Sequence, residues 1–340
     1  MSIKYLASRC GLLAALAIGL AGFVASPAMA KGKVIVMKFH HDLPKDSAQH
    51  VAALKFKAAV EARTGGEIEV RIFPSNALGN DVEATQQMQL GAIQGGLIPT
   101  AKLSSFVPAM QLIDLPFLFP SPKVAHGVLD GPAGKKLLKT LDKVGLKGLT
   151  FWESGFKQFT CDHPVKSPAD FKGYKVRVMQ SPIIIDQFKA LGANPVPIAF
   201  TETYNALQQK VVNCEENPLV SITKMKFYEV QSNVIISNHA YLAYAFVLSK
   251  RWYDSLSDKN KKIIRDAAVE FTPFERAETA RREAGYLKTI KASGAKISRL
   301  TPDQLKAFQV ATRSVHDKFA DKIGRGLLDE FYREINKYSK

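Results

Sequence analysis

VIVMKF at 34–39, SAQHVAALKFKAAVEARTGG at 47–66 and EIEVRI at 67–72 decide the fold class of this chain. The first run is apolar and rich in β-branched residues, as expected of a strand buried on both faces of a parallel sheet. The second places Ala52, Phe56, Ala59 and Val60 on one helical stripe and stops at Thr64-Gly65-Gly66. The third alternates Ile68, Val70 and Ile72 with Glu67, Glu69 and Arg71, so one face of that strand is wetter than the other. Strand, helix, strand at this spacing opens an α/β domain.

Reading onward, Asn80 or Asp81 caps a helix that runs to Leu90 before Gly91, and a strand resumes over Ala92 to Ile98. Val124 to Leu141 predicts a further helix, with Gly127, Gly131 and Pro132 in its first half. A second cycle begins at Gly148 to Trp152, continues through Gly173 to Val178, and reaches a helix capped near Thr201. Leu256 to Lys291 is a nearly unbroken run of helix formers, roughly 36 residues or about 54 Å. It predicts one long helix, bent at Pro273, that lies across both domains as a brace. Thr301-Pro302-Asp303-Gln304 is a capping box with proline at the first helical position.

At the N-terminus, Lys4 and Arg9 precede an uncharged run from Gly11 to Val24 and then Pro27-Ala28-Met29-Ala30, the pattern of a secretory signal peptide over 1–30. Its apolar run falls short of the roughly 20 residues a spanning helix needs. Cys10 precedes that run, so it is not a lipoprotein cysteine, and the mature chain is read as soluble and periplasmic. In that oxidising compartment Cys161 and Cys214 are either one disulfide or two buried thiols. The reading leans to the thiols.

Removing Lys4 and Arg9 lowers the formal charge from +16 to +14. This suits an anionic ligand, although lysines scattered along helices account for much of it as a solvated surface. Export, and the lack of a basic stripe interleaved with aromatics, argue against nucleic acid. There is no G-x-S-x-G, H-E-x-x-H, G-x-x-x-x-G-K or dinucleotide fingerprint in the sequence. His40-His41 lacks companions at metal-ligand spacing, and Cys214 beside Glu215 lacks a local histidine. No catalytic residue, metal or cofactor is assigned.

A set of short segments then falls in a familiar order. It comprises Thr64-Gly65-Gly66, Phe73-Pro74 with Leu78-Gly79, Asp114-Leu115-Pro116-Phe117, Phe171-Lys172-Gly173 with Lys175-Val176-Arg177-Val178, and Glu216-Asn217-Pro218 with Lys226-Phe227-Tyr228-Glu229-Val230. From Val34 to about Gly294 the chain resembles the DctP-type solute-binding proteins of tripartite ATP-independent periplasmic (TRAP) transporters. The resemblance implies a two-lobe α/β "Venus flytrap" with hinge strands, a long helix bracing both lobes, and a ligand buried between them. Residues 31–150 plus about 240–275 are then lobe I, and 151–239 plus about 276–340 lobe II.

The resemblance also implies the site. Arg177 is the carboxylate anchor, and a planar guanidinium suits that role through two parallel charge-assisted hydrogen bonds. Asn217 supplies an amide and Phe200 an aromatic wall. His41, Asp81 and, nearby, Lys102 line the cleft from the first lobe. Two departures leave the ligand open: Gly155-Phe156-Lys157-Gln158 carries Lys157 where relatives often have arginine, and Asn213-Cys214-Glu215-Glu216-Asn217 replaces Asp-Gly-Gln-Glu-Asn. The function read here is capture of a small organic acid by a monomer that delivers it to the small and large TRAP membrane subunits. The alternatives are a periplasmic enzyme acting on a similar acid and a sensor serving a receptor.

Overall fold

In the computed structural model, residues 34–340 are described, so the leader read at 1–30 lies outside the described residues. The opening run forms as expected: β1 (Ile35–His40), a helix over Ala48–Arg63 capped by Ser47, and β2 (Ile68–Phe73) parallel to β1. The remaining strands are β3 (Gly95–Pro99), β4 (Leu146–Cys161), β5 (Lys175–Val178), β6 (Asn194–Pro197), β7 (Cys214–Pro218), β8 (Asn233–Ser249) and β9 (Lys296–Arg299). They lie in the order β2-β1-β3-β8-β4-β7-β5-β6, with β9 beside β8.

Two strands make one sheet serve two groups of elements. β4 and β8 are 16 and 17 residues long and pair antiparallel from Leu146↔Ser249 to Cys161↔Asn233. The C-terminal half of β8 takes β3, from Gly95↔Leu248 to Pro99↔Tyr244, which continues into β1 and β2. The C-terminal half of β4 takes β7, which continues into β5 and β6. Register shifts at Glu153/Gly155 and Lys157/Phe159 mark the passage between groups. Gly155 there has φ +97°, a backbone state that a side chain would strain. The sequence reading saw only Gly148 to Trp152 of β4, because small and polar residues interrupt the apolar pattern where the strand crosses over.

Each group has its own aromatic core. Phe246 of β8 meets Phe39 and Phe56 at 5.0 Å and Trp152 at 5.4 Å. Phe159 of β4 meets Phe171, Phe188 and Phe308 at 5.0 to 6.0 Å.

Three expectations are corrected. Val124 to Leu141 is not one helix but two, Pro122–Asp130 and Pro132–Lys139, because Gly131 turns extended and Pro132 has no N–H to continue the ladder. Leu256 to Lys291 likewise divides into Asp258–Glu270 and Thr272–Ala292. Pro273 sits in the first turn of the second helix, where its missing N–H costs nothing, so it starts a helix instead of bending one. The Thr272–Ala292 helix still packs on both the Ala48–Arg63 and the Leu219–Lys224 helices, one from each group. Finally, Cys161 and Cys214 are a disulfide, not a pair of thiols. They face each other in the β4–β7 register, a cross-strand neighbourhood that their separation in sequence does not reveal.

At the C-terminus the helix over Pro302–Ile323, capped by Thr301 with Gln304, packs on the Pro182–Ala190 helix. The last helix, Arg325–Tyr338, returns to pack on Pro122–Asp130 and Pro132–Lys139, elements of the first group.

Candidate binding cleft

β7 explains why charge collects between the two groups. All five of its residues are buried, yet it reads Cys-Glu-Glu-Asn-Pro, and buried carboxylates need partners. Strand alternation sends Glu215 and Asn217 to one face and Glu216 to the other. On the first face the Asn217 amide and the Thr160 hydroxyl donate to Glu215 at 2.5 and 2.8 Å. Arg177 of β5 stands opposite Glu215 in the parallel register. Its Nε and Nη2 donate to the Ile198 carbonyl at 3.0 and 2.8 Å, while Nη1 is buried and unengaged. Burial lowers this guanidinium, against the opposing pull of Glu215, Glu216, Asp81 and Asp42; an arginine remains charged regardless.

On the second face Glu216 accepts from Lys157 at 3.1 Å and contacts His239 at 3.2 Å. Lys157 also lies 3.8 Å from Asp114. Burial alone would raise Glu216, but Lys157 and His239 outweigh it and hold it below its ordinary value. Lys157 is therefore a fully buried cation with acidic partners inside the protein.

From the first group, Asn80 rather than Asp81 caps the helix over Asp81–Leu90, which leaves the Asp81 side chain to other work. Its two oxygens meet Lys102 at 2.8 Å and His40 at 3.4 Å. Burial would raise it, but Lys102 and His40 prevail and hold it low. His41 contacts His50 at 2.9 Å and is lowered to about 3, first by burial and then by His50 and His40, so it is neutral. Tyr244 donates to Asp42 at 2.8 Å, and burial beside Asp81 pushes Asp42 up to about 8.

Of the residues singled out in the sequence, Arg177, Asn217, His41 and Asp81 are buried in this charged set. Phe200 is buried two residues beyond the carbonyl that Arg177 holds, its ring 6.1 Å from Phe227. Lys157 belongs to the Glu216–Asp114 face. The sequence reading missed Asp42, Asp114, His239 and the roles of Glu215 and Glu216. Two adjacent acids in an otherwise strand-like buried run were the available signal, since such acids require internal cations.

The buried acids set a pH dependence. Asp42, Asp114 and Glu215 are raised by burial to about 8, 7 and 7. Between pH 4 and those values the folded state holds more protons than the unfolded chain, so stability falls as pH rises. His41, His50 and His239, lowered mainly by burial, act in the opposite direction, and their contribution is complete above the ordinary histidine range. The ligand-free protein is thus expected to melt at lower temperature at about pH 8.5 than at about pH 7. The slope is at most about 1.4 kcal/mol per pH unit for each proton involved. Thermal melts of the protein and of Asp42→Asn check this: the variant should show the flatter profile, and a steeper one would contradict the assignment.

Two α/β groups joined by paired strands, with an unengaged guanidinium nitrogen buried where they meet, define a two-lobe solute-binding protein. The model of the DctP family, described as bacterial extracellular solute-binding protein family 7, matches residues 39–322, and this chain belongs to that family. It is 34% identical over 315 residues to the C4-dicarboxylate-binding periplasmic protein DctP of Rhodobacter capsulatus, covering 92% of this chain and 93% of the relative. The sugar acid binding protein of Advenella mimigardefordensis, solved with galactonate, superposes with TM-score 0.87 at 35% identity over 90% of this chain and 99% of that one. A TRAP periplasmic solute-binding protein of Sulfurospirillum deleyianum with bound succinate gives 0.83 at 36% identity, over 88% and 98%. Among the described residues no helix is long and apolar enough to cross a membrane.

Proposed function

We propose that this chain is the periplasmic substrate-binding subunit of a TRAP transporter, capturing a small organic acid and delivering it to the membrane subunits without altering it. The observation that carries the reading is Arg177: fully buried, its Nε and Nη2 fixed by the Ile198 carbonyl, its Nη1 left without a partner. Native proteins rarely leave a buried charged donor idle, and a ligand carboxylate would engage it. Asn217 and Phe200 would then supply an amide and an aromatic wall beside the anchor, and His41 and Asp81 polar groups from the first lobe. Lys157 acts as a brace that neutralises Glu216. The relatives bind a C4-dicarboxylate, galactonate and succinate, all carboxylates.

Lobe I comprises 34–150 and about 240–275, with the last helix packed on it; lobe II comprises 151–239 and the stretch from about 276 through the Pro302–Ile323 helix. The hinge lies in β4 and β8 about Gly155. The Lys224 ammonium of the second lobe donates to the Asp46 carboxylate of the first. That pair is exposed and contributes little energy, so closure depends on the ligand, which binds both lobes only when they meet. The protein acts as a monomer. A thermal-shift screen of the mature chain against organic and sugar acids tests the reading, because a ligand that binds only the folded form raises its melting temperature. A rise with at least one acid is expected; none with any acid, from protein freed of bound ligand by unfolding and refolding, would refute it.

A further inference from the structure

The second group of strands ends in two edges that are protected unequally. On β6 the N–H groups of Asn194 and Ile198 donate inward, to Tyr174 at 2.8 Å and Val178 at 3.2 Å, and the outward positions between them include Pro195 and Pro197, which have no N–H to offer another strand. β9 reads Lys-Ile-Ser-Arg, has no proline and pairs with β8 alone. Lys296 and Leu300 donate to the Ser232 and Ile236 carbonyls at 2.8 and 3.4 Å, so alternation leaves the N–H and C=O of Ile297 and Arg299 on the open side. A groove of about 630 Å³ lies between β9 and the C-terminal end of the Thr272–Ala292 helix. Lys288 and Lys291 line it from the helix, and Lys296 and Arg299 from the strand, over apolar Leu287 and Ile297; no acid lines it. Earlier on the same helix Arg281 and Arg282 both pair with Glu278, at 2.7 and 2.6 Å, whereas these four cations make no ion pair among the described residues. Acids return past Ala295, where Asp162 and Glu229 line an adjoining groove.

We infer that β9 is a docking strand for a partner protein, which adds an extended acidic segment to the open edge and sets its carboxylates against Lys288, Lys291, Lys296 and Arg299. In strand addition the main-chain hydrogen bonds supply affinity and the alternate side chains supply specificity. A segment with acids at every second position and apolar residues between them suits cations set over Leu287 and Ile297. Complementary charge also speeds the encounter. Basic residues on an edge strand discourage self-association as well, and Lys296 and Arg299 would suffice for that. Lys288 and Lys291 come from the helix and guard no edge, so that account leaves them unexplained. An anionic lipid surface would meet the same cations but has no use for the unpaired backbone groups of Ile297 and Arg299. The inference does not depend on which acid the cleft holds.

Fluorescence anisotropy of a labelled Glu-Val-Glu-Val-Glu-Val peptide titrated with the mature protein tests this. The peptide is expected to bind at low ionic strength and to bind less tightly as salt is added. Its fully N-methylated form carries the same charge and no backbone N–H; it should bind at least about tenfold more weakly, the loss that follows from two missing backbone hydrogen bonds. A Lys288→Gln, Lys291→Gln, Arg299→Gln variant alters exposed side chains only and should weaken the unmethylated peptide by about tenfold. Its melting temperature and its affinity for the cleft ligand should stay unchanged, which separates docking from folding and from capture. Equal binding of the two peptides would reduce the groove to a basic surface and overturn the inference. So would failure of the unmethylated peptide to bind, or sedimentation of the protein with phosphatidylglycerol vesicles that the peptide does not compete away. The comparison of peptides is made on the unaltered protein, so it decides the matter even if the triple variant misfolds.

Discussion

Arg177→Ala is expected to weaken binding of the cognate acid by about 30- to 5,000-fold, the range that follows from losing one partner of a buried, hydrogen-bonded charge pair at 2–5 kcal/mol. The variant should still fold. Arg177 spends two nitrogens on one carbonyl, and Glu215, the acid opposite it, is already raised to about 7 by burial while accepting from Asn217 and Thr160. With the guanidinium gone, Glu215 can take up a proton and remain hydrogen-bonded, which limits the structural damage. Arg177→Lys separates charge from shape: an ammonium restores the positive charge but cannot hold the Ile198 carbonyl and a carboxylate with one planar fork. Its affinity should fall between those of alanine and arginine. Titration calorimetry, with circular dichroism to verify folding, measures both. An alanine variant within about threefold of the unaltered protein would remove Arg177 from the site, whatever the ligand proves to be.

Much of the fold was legible because it rests on periodicity and capping, which are local. Ile68, Val70 and Ile72 alternate and are on a strand; Ser47, Asn80 and Thr301 cap the helices they precede. What was not legible depends on pairing between distant segments. Gly131 and Phe271 end helices where the runs of helix formers gave no sign of an end, since a proline one or two residues later serves equally as a kink or as a first turn. Crossing strands set the length of β4 and β8, and Gly155 lies within β4 only because β8 holds both its sides. The site shows the same division. Arg177 and Asn217 could be matched through motif resemblance, whereas the two-faced division of Glu215 and Glu216 needed the register of β7 between β4 and β5. That register also decides that Lys157 is paired inside the protein, a matter on which its neighbours in sequence are silent.

Replacing both Cys161 and Cys214 by alanine is expected to lower stability by about 4 kcal/mol. The bond closes a loop with a sequence separation of 53, and loop-closure entropy for a chain of that length gives this value near 25 °C. For a domain of roughly 300 residues the corresponding fall in melting temperature is about 6 °C. Alanine is the better probe than serine because both sulfurs are fully buried, and two hydroxyls placed there would add a desolvation cost that has nothing to do with the cross-link. Ligand affinity should change far less than stability. The β4–β7 ladder extends from Cys161↔Cys214 to Lys157↔Pro218, and its Phe159↔Glu216 and Gln158↔Asn217 pairs hold Glu216 and Asn217 without help from the sulfurs. Calorimetric melts combined with titration of the cognate acid distinguish a cross-link that resists unfolding from one that shapes the cleft. Loss of stability with affinity kept within a few-fold assigns the disulfide to the folded scaffold. A large loss of affinity at unchanged melting temperature would instead mean that Asn217 depends on it for its position.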